Sequence, residues 1–298
     1  MSETKLPPQN SQEANSPTPE KSGVFGVIVH SFFVIPFLLA VLSVLFLTAV
    51  RILTMEKRTA YDYLKDVKVG GLPKRWQSAF ELSRILANPE VLPREERFSR
   101  ELIDAFTAAK EDDERVKQYL SLAMARTGRP EFVPILIQAL ADKKDENVHA
   151  FIYALGILKD VRAVSVLLKY LDDADSRIRL AAVMALGNIG APETREKLRG
   201  MLNDAEPNVR WDAAIALAKM KDTAAKEPLL TMLDRAYLAQ FPEVDSQEQA
   251  KILIVTIQAA APFKDPDLIK EFEKLSQNDK NMNVRQAAFD AIKLSTKS

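Results

Sequence analysis

The chain has 298 residues, and its 41 Lys and Arg balance 41 Asp and Glu, so the overall charge carries no strong nucleic-acid footprint. It holds no cysteine and only two histidines, which excludes disulfide staples, thiol nucleophiles and the usual zinc ligand sets. With 47% apolar residues and nine glycines, the composition suits a mostly helical body.

Residues 1–23 carry Pro7, Pro8, Pro17 and Pro19 among Ser, Gln, Asn and Glu, with Leu6 the single large aliphatic side chain. Such a segment has too little apolar surface to order itself and is expected to be a disordered tail. Val24 to Val50 then run for 27 residues without Asp, Glu, Lys or Arg. That exceeds the roughly 18 apolar residues that mark a membrane span. The apolar core of a cleaved signal peptide covers only about 7 to 15 residues, so residues 24–51 are read as a permanent, single-pass transmembrane helix. Pro36 is expected to kink it, and His30 to reach the headgroup region.

Lys5 and Lys21 lie before the span, whereas Arg51, Lys57, Arg58, Lys65, Lys68, Lys74 and Arg75 follow it. The positive-inside rule places the C-terminal side in the cytoplasm and the tail outside, with a bacterial inner membrane as the expected setting. Residues 52–74 read as a juxtamembrane linker whose basic residues set topology.

From residue 75 to 298 the chain echoes itself. Leucine returns every 31 residues at Leu140, Leu171, Leu202 and Leu233, and again at Leu136, Leu167, Leu198 and Leu229; a third register holds Met124, Leu155, Leu186 and Leu217. Three registers sharing one period mark a solenoid, in which each unit buries its apolar face against its neighbours. Within a unit, Ile178, Ala181, Ala182, Ala185 and Leu186 follow helical spacing, and Gly190 and Pro192 separate this helix from the next. Each repeat is therefore a helix pair, with Asp142, Asp173 and Asp204 at the turns between pairs. Residues 75–88 and 94–110 read as a degenerate first pair, and residues 283–294 as a single closing helix. Between Leu233 and Leu275 the step is 42 rather than 31, so about 11 extra residues fall at roughly 235–247.

The stretch from Ile178 to Gly190, followed by a Leu-x-x-x-Leu helix and Asp204, is similar to the short HEAT-like repeat of phycobilisome-lyase-type proteins. Its opening recurs as Val209-Arg210-Trp211-Asp212-Ala213-Ala214 and as Val284-Arg285-Gln286-Ala287-Ala288. The resemblance covers about residues 112–296 and is specific for fold, not function. It implies an all-α, right-handed α-solenoid of HEAT-like helix pairs, preceded here by a single transmembrane helix. It also implies that Asp173, Arg179, Asp204 and Arg210 belong to a structural ladder between units.

No catalytic, cofactor-binding or metal-binding residue is assigned, and no cofactor or small molecule is expected. Phosphate-binding glycine loops and a Gly-x-Ser-x-Gly elbow are absent. The family resemblance extends to iron hydroxylases that use His-Glu pairs, but this sequence has no His-Glu dipeptide. The acidic run Glu111 to Glu114 reads as a helix start, where the dipole favours acids.

Surface is left. Tyr237 and Phe241 in the insertion would anchor a partner if exposed, or else cover the widened junction with Leu238. Trp76 and Trp211 are expected to pack between repeats. Gln138, Lys169, Arg199 and Lys226 line the inner face of the second helices, the concave side along which solenoids bind. The function that follows is a non-catalytic, membrane-anchored scaffold or adaptor for a protein partner. Two alternatives stand beside it: a protein handling a small ligand in the manner of a bilin lyase, and an accessory subunit of an integral membrane transport complex, using Pro36, Ser31, Ala40 and Ser43 at a helix interface.

Overall fold

The leucine registers find the interior. Leu136, Leu167, Leu198 and Leu229 are fully buried, as are Met124, Leu155, Leu186 and Leu217. The computed structural model describes residues 30–54, 58–109, 113–141 and 146–296, and among these every regular element is helical. The tail, the first six residues of the expected span (24–29), Glu111, Asp112 and Asp142 lie outside the described residues. The chain divides into two units, residues 1–57 and 58–298.

In the first unit a π-helical turn, His30–Val34, leads into α1 (Ile35–Thr54). Pro36 lacks an amide donor and crowds the residue four before it, so the departure from regular helix falls in the turn that precedes it. Phe32–Val50 has a mean hydropathy of 2.7 and none of it is buried, which makes one helix among the described residues long and apolar enough to cross a membrane by length and composition. Thr48, the polar residue in its last turns, satisfies its hydroxyl internally by donating to the Val44 carbonyl at 2.7 Å.

The second unit runs through α2 (Ala60–Val69), α3 (Leu72–Ile85), α4 (Glu96–Ala108), α5 (Glu114–Arg126), α6 (Val133–Ala139), α7 (Val148–Leu158), α8 (Val164–Leu167), α9 (Ser176–Ile189), α10 (Arg195–Gly200) and α11 (Pro207–Lys219). It continues with α12 (Lys226–Met232), α13 (Arg235–Leu238), α14 (Ser246–Ala260), α15 (Pro266–Asn278) and α16 (Met282–Thr296). The odd-numbered helices from α3 to α11 pack side by side as a first layer, which α14 and α16 extend. The even-numbered helices from α4 to α12, with α15, form the second layer, and α13 belongs to the insertion. Apolar residues from both layers share one continuous core, the arrangement of a solenoid.

The stretch 52–74 is not a bare linker, because it contains α2. Ala60, Leu64 and Val67 fall at i, i+4 and i+7, are buried, and pack the helix on α3 and α4. Thr59 opens α2 with a capping box to Asp62. The charges that suggested a membrane flank, Lys65 and Lys68 among them, occupy the outer face of this short helix, whose apolar stripe is narrow and stands outside the 31-residue registers.

The backbone repeats with the same period as the side chains. Left-handed residues end the first-layer helices at Gly128, Lys159, Gly190 and Lys221, with φ between 54° and 69°. Each is followed two residues on by a 3₁₀ turn, beginning at Pro130, Val161, Pro192 and Thr223. Glycine adopts this conformation freely, whereas a side chain is strained in it. Lys159→Gly and Lys221→Gly are each expected to stabilise the unit by about 0.5–1 kcal/mol, read as a higher denaturation midpoint with unchanged helicity.

The Arg and Asp positions form a ladder. Asp173, Asp204 and Asp279 each accept the amide of the residue two positions on, shaping the turn before a first-layer helix. Arg179, Arg210 and Arg285, each six residues further, donate back to the carbonyls of those same residues at 2.7–2.9 Å. Arg179 also reaches the Asp204 carboxylate of the next repeat through two bonds of 2.8 Å. Across the insertion Arg235 makes the corresponding pair with Asp279, at 2.6 and 2.9 Å. The acidic start of α5 is a cap as expected, with Asp113 accepting the Arg115 amide at 3.0 Å.

Candidate interaction surfaces

The insertion folds back on the solenoid. Leu238 is fully buried, and Tyr237 and Phe241 are half-buried. Their rings meet Trp211 of α11 edge to face at centroid distances of 6.4 and 5.0 Å, and the Trp211 indole N–H donates to the Tyr237 hydroxyl at 3.2 Å. Tyr237 and Phe241 therefore cover the widened junction with part of each ring left at the surface. The physical reason is the extra length between α12 and α14: it leaves the large Trp211 side chain beside a widened junction, and aromatic surface is most stable covering it. Trp76 packs as well, under the Arg115 guanidinium at 4.2 Å.

Gln138, Lys169 and Arg199 are exposed on successive second-layer segments, and Lys226 is half-buried on the next. Two of the four are already paired. Arg199 holds Asp222, and Lys226 bridges Asp265 at 2.9 Å and Asp267 at 2.7 Å. Those two carboxylates raise the Lys226 ammonium above its ordinary value, with Asp267 the larger influence. Gln138 and Lys169, one period apart, keep free polar ends.

A feature that sequence reasoning passed over lies on the first layer. A cleft of about 320 Å³ opens between α11 and α14 beside the insertion, walled by Trp211, Ile215, Val244 and Val255. Asp212 projects from α11 into this wall without a hydrogen bond or ion pair. Burial pushes its carboxyl up to about 6, against the pull of Lys219 further along the helix. Glu243 and Glu248 share the cleft, and Lys251 is tied to Glu248 at 2.8 Å. The signal was present in the registers. Ala150 and Ala181 occupy the two preceding equivalents of position 212, so Asp212 puts a carboxyl where the repeat otherwise puts a methyl.

The raised value fixes a sign. Asp212 binds its proton more tightly folded than unfolded, so its contribution is full below about pH 4 and is lost as the pH rises through about 6. Asp212→Asn is expected to stabilise the protein at pH 7.5 by about 1–2 kcal/mol, allowing for partial exposure, and to change little at pH 4. Thermal midpoints of both forms at the two pH values measure it; an equal or lower midpoint for the variant at pH 7.5 contradicts it.

Around this site runs an exposed apolar row. Tyr153 on α7, Met184 on α9 and Ile215 on α11 are one period apart, and the first two are 47% and 38% exposed. Val255 on α14, 44% exposed, stands across the cleft from Ile215. Among the described residues no group of three or more His, Asp or Glu side chains is arranged to hold a metal ion.

A family profile described as HEAT repeats matches residues 101–186 and 164–239. The fold is similar to that of the complex of CpcE and CpcF of phycocyanin lyase from Nostoc sp. PCC7120, with a TM-score of 0.54 and 18% identity, covering 81% of this chain and 95% of that one. A designed armadillo repeat protein aligns with 21% identity and a TM-score of 0.34, covering 78% and 98% of the two chains. Human deoxyhypusine hydroxylase in complex with glycerol aligns with 17% identity and a TM-score of 0.36, covering 80% and 85%. No curated protein sequence matches the chain. With the leucine registers, the paired layers and the turn ladder in agreement with the HEAT-repeat profile, residues 101–239 are HEAT repeats, and the helices on either side extend them into one α-solenoid.

Proposed function

We propose that the protein is a membrane-anchored HEAT-repeat scaffold, in which residues 24–51 span the bilayer once and the solenoid holds a protein partner at the membrane surface without turnover. The observation that carries this reading is the apolar stretch Phe32–Val50, 19 residues of which none is buried, which continues in sequence into a repeat unit of a kind that works through its surfaces. The flanking charge puts the solenoid in the cytoplasm and the tail outside.

Carbonate extraction of membranes carrying the full chain tests the anchor. The protein is expected to stay with the membrane, and Leu42→Arg with Leu45→Arg to release it, since each charge at mid-bilayer costs about 2.5–3.5 kcal/mol. Release of the unaltered chain overturns the anchor. The absence of cysteine makes orientation directly readable: Ser2→Cys is expected to react with an impermeant maleimide in intact cells, and Ser298→Cys only after lysis. The reverse pattern overturns the cytoplasmic assignment. Crosslinking from the native membrane is expected to yield a defined protein partner, and recovery of none rejects the scaffold.

A second reading, that the solenoid of this chain handles a small ligand, has behind it only the fold shared with the CpcE and CpcF complex of phycocyanin lyase. At 18% identity that likeness supports architecture alone.

A further inference from the structure

We propose that the cleft between α11 and α14 receives a lysine or arginine side chain from an apolar segment of the partner protein, with Asp212 as its counter-ion and the row Tyr153, Met184, Ile215 and Val255 as the bed for the flanking apolar residues. The inference rests on the scaffold reading and names the chemistry of the partner.

Three observations converge on it. At about 320 Å³ the cleft has room for one long side chain, and its polar lining is interleaved with Trp211, Ile215, Val244 and Val255, which suit the methylene stem of such a residue. Its charge is unbalanced. Asp212 and Glu243 carry no ion pair, while Lys251, the cation among the lining residues, is engaged by Glu248. A carboxyl desolvated without a partner is destabilising by itself, and an incoming cation relieves that cost. Finally, Tyr153, Met184 and Ile215 stand at one register of helices packed in series, so adjacent positions are about 8–10 Å apart and the row leads into the cleft. An exposed apolar row ending in an acidic cleft is complementary to a segment that is apolar with one basic residue, and an acidic or wholly apolar segment would leave Asp212 unrelieved.

The test uses the full chain in phosphatidylcholine nanodiscs, with empty discs as blank, and fluorescent nonapeptides of four leucine or alanine residues on each side of a central Arg, Lys, Gln or Glu. Anisotropy is expected to show Arg and Lys peptides binding at least ten-fold tighter than the Glu peptide. Asp212→Asn is expected to erase that preference while raising thermal stability at neutral pH, so a loss of binding is not a loss of fold. Asp290→Asn, on the exposed face of α16, is expected to leave it intact. Tyr153→Ser with Met184→Ser is expected to weaken all four peptides alike. Binding indifferent to the central residue, or a preference that survives Asp212→Asn, overturns the assignment. The two levels separate in the crosslinking experiment: a membrane partner still captured by Asp212→Asn leaves the scaffold standing and removes this site, whereas capture of nothing by the unaltered chain removes the scaffold itself.

Discussion

Gly187→Val is expected to destabilise the solenoid by about 3 kcal/mol or more, one of the largest effects of any single substitution. Helix α9 lies against α11 so closely that a Cβ placed on Gly187 would stand 2.5 Å from the Ala216 Cβ, and α7 lies against α9 so closely that one on Gly156 would stand 2.7 Å from the Ala185 Cα. Neither neighbour is the end of a flexible side chain, so relief requires the helices to part. Parting withdraws contacts along the whole first layer, where Leu186 and Leu217 are fully buried. Gly200 supplies the contrast. It is helical, and nothing lies within 4 Å of a Cβ built on it, so Gly200→Ala is expected to gain about 0.5–1 kcal/mol. Urea denaturation followed by circular dichroism separates the two. A Gly187→Val protein as stable as the parent would show that the close approach is not a constraint on the fold.

The second large effect is at the inter-repeat ladder. Asp204→Ala is expected to cost about 3 kcal/mol at pH 7, because it removes both bonds to Arg179 and the bond from the Glu206 amide, and leaves a largely buried guanidinium without its carboxylate. The side chains of Arg179 and Asp204 are only 15% and 7% exposed, so solvent screening does little to soften the loss. The pH dependence follows from the direction of the shift. Hydrogen bonding to Arg179 holds the Asp204 carboxyl below its ordinary value of 3.8, so this stabilisation is present above that value and is lost as the pH falls through the lower, folded one. The gap between parent and Asp204→Ala midpoints is therefore expected to narrow as the pH falls below 3.8. A double-mutant cycle with Arg179→Met isolates the pair; a coupling near zero would reduce the ladder to a packing feature.

The repeat was legible because a solenoid turns a local rule into a period. Every unit meets the same neighbour in the same way, so Leu136, Leu167, Leu198 and Leu229 have to recur, and their burial follows from the sequence. The registers broke down where the neighbour changed. Helix α2 has its interior partners on one side of the solenoid's end and needs only Ala60, Leu64 and Val67, too short a stripe to stand out among its charges.

The sequence alone determined the helical class, the 31-residue pairing, the place of the insertion and the apolar stretch before the solenoid, because each rests on spacing along the chain. Only the tertiary structure decided what those residues meet. Tyr237 and Phe241 came to cover the widened junction because Trp211, 26 residues before Tyr237, stands there. Asp212 became an unpaired carboxyl in a cleft because α14 reaches α11 across the insertion, leaving Lys251 tied to Glu248. Burial and charge pairing are properties of neighbours in space, and after an insertion the neighbour in space no longer stands at the period that the sequence displays.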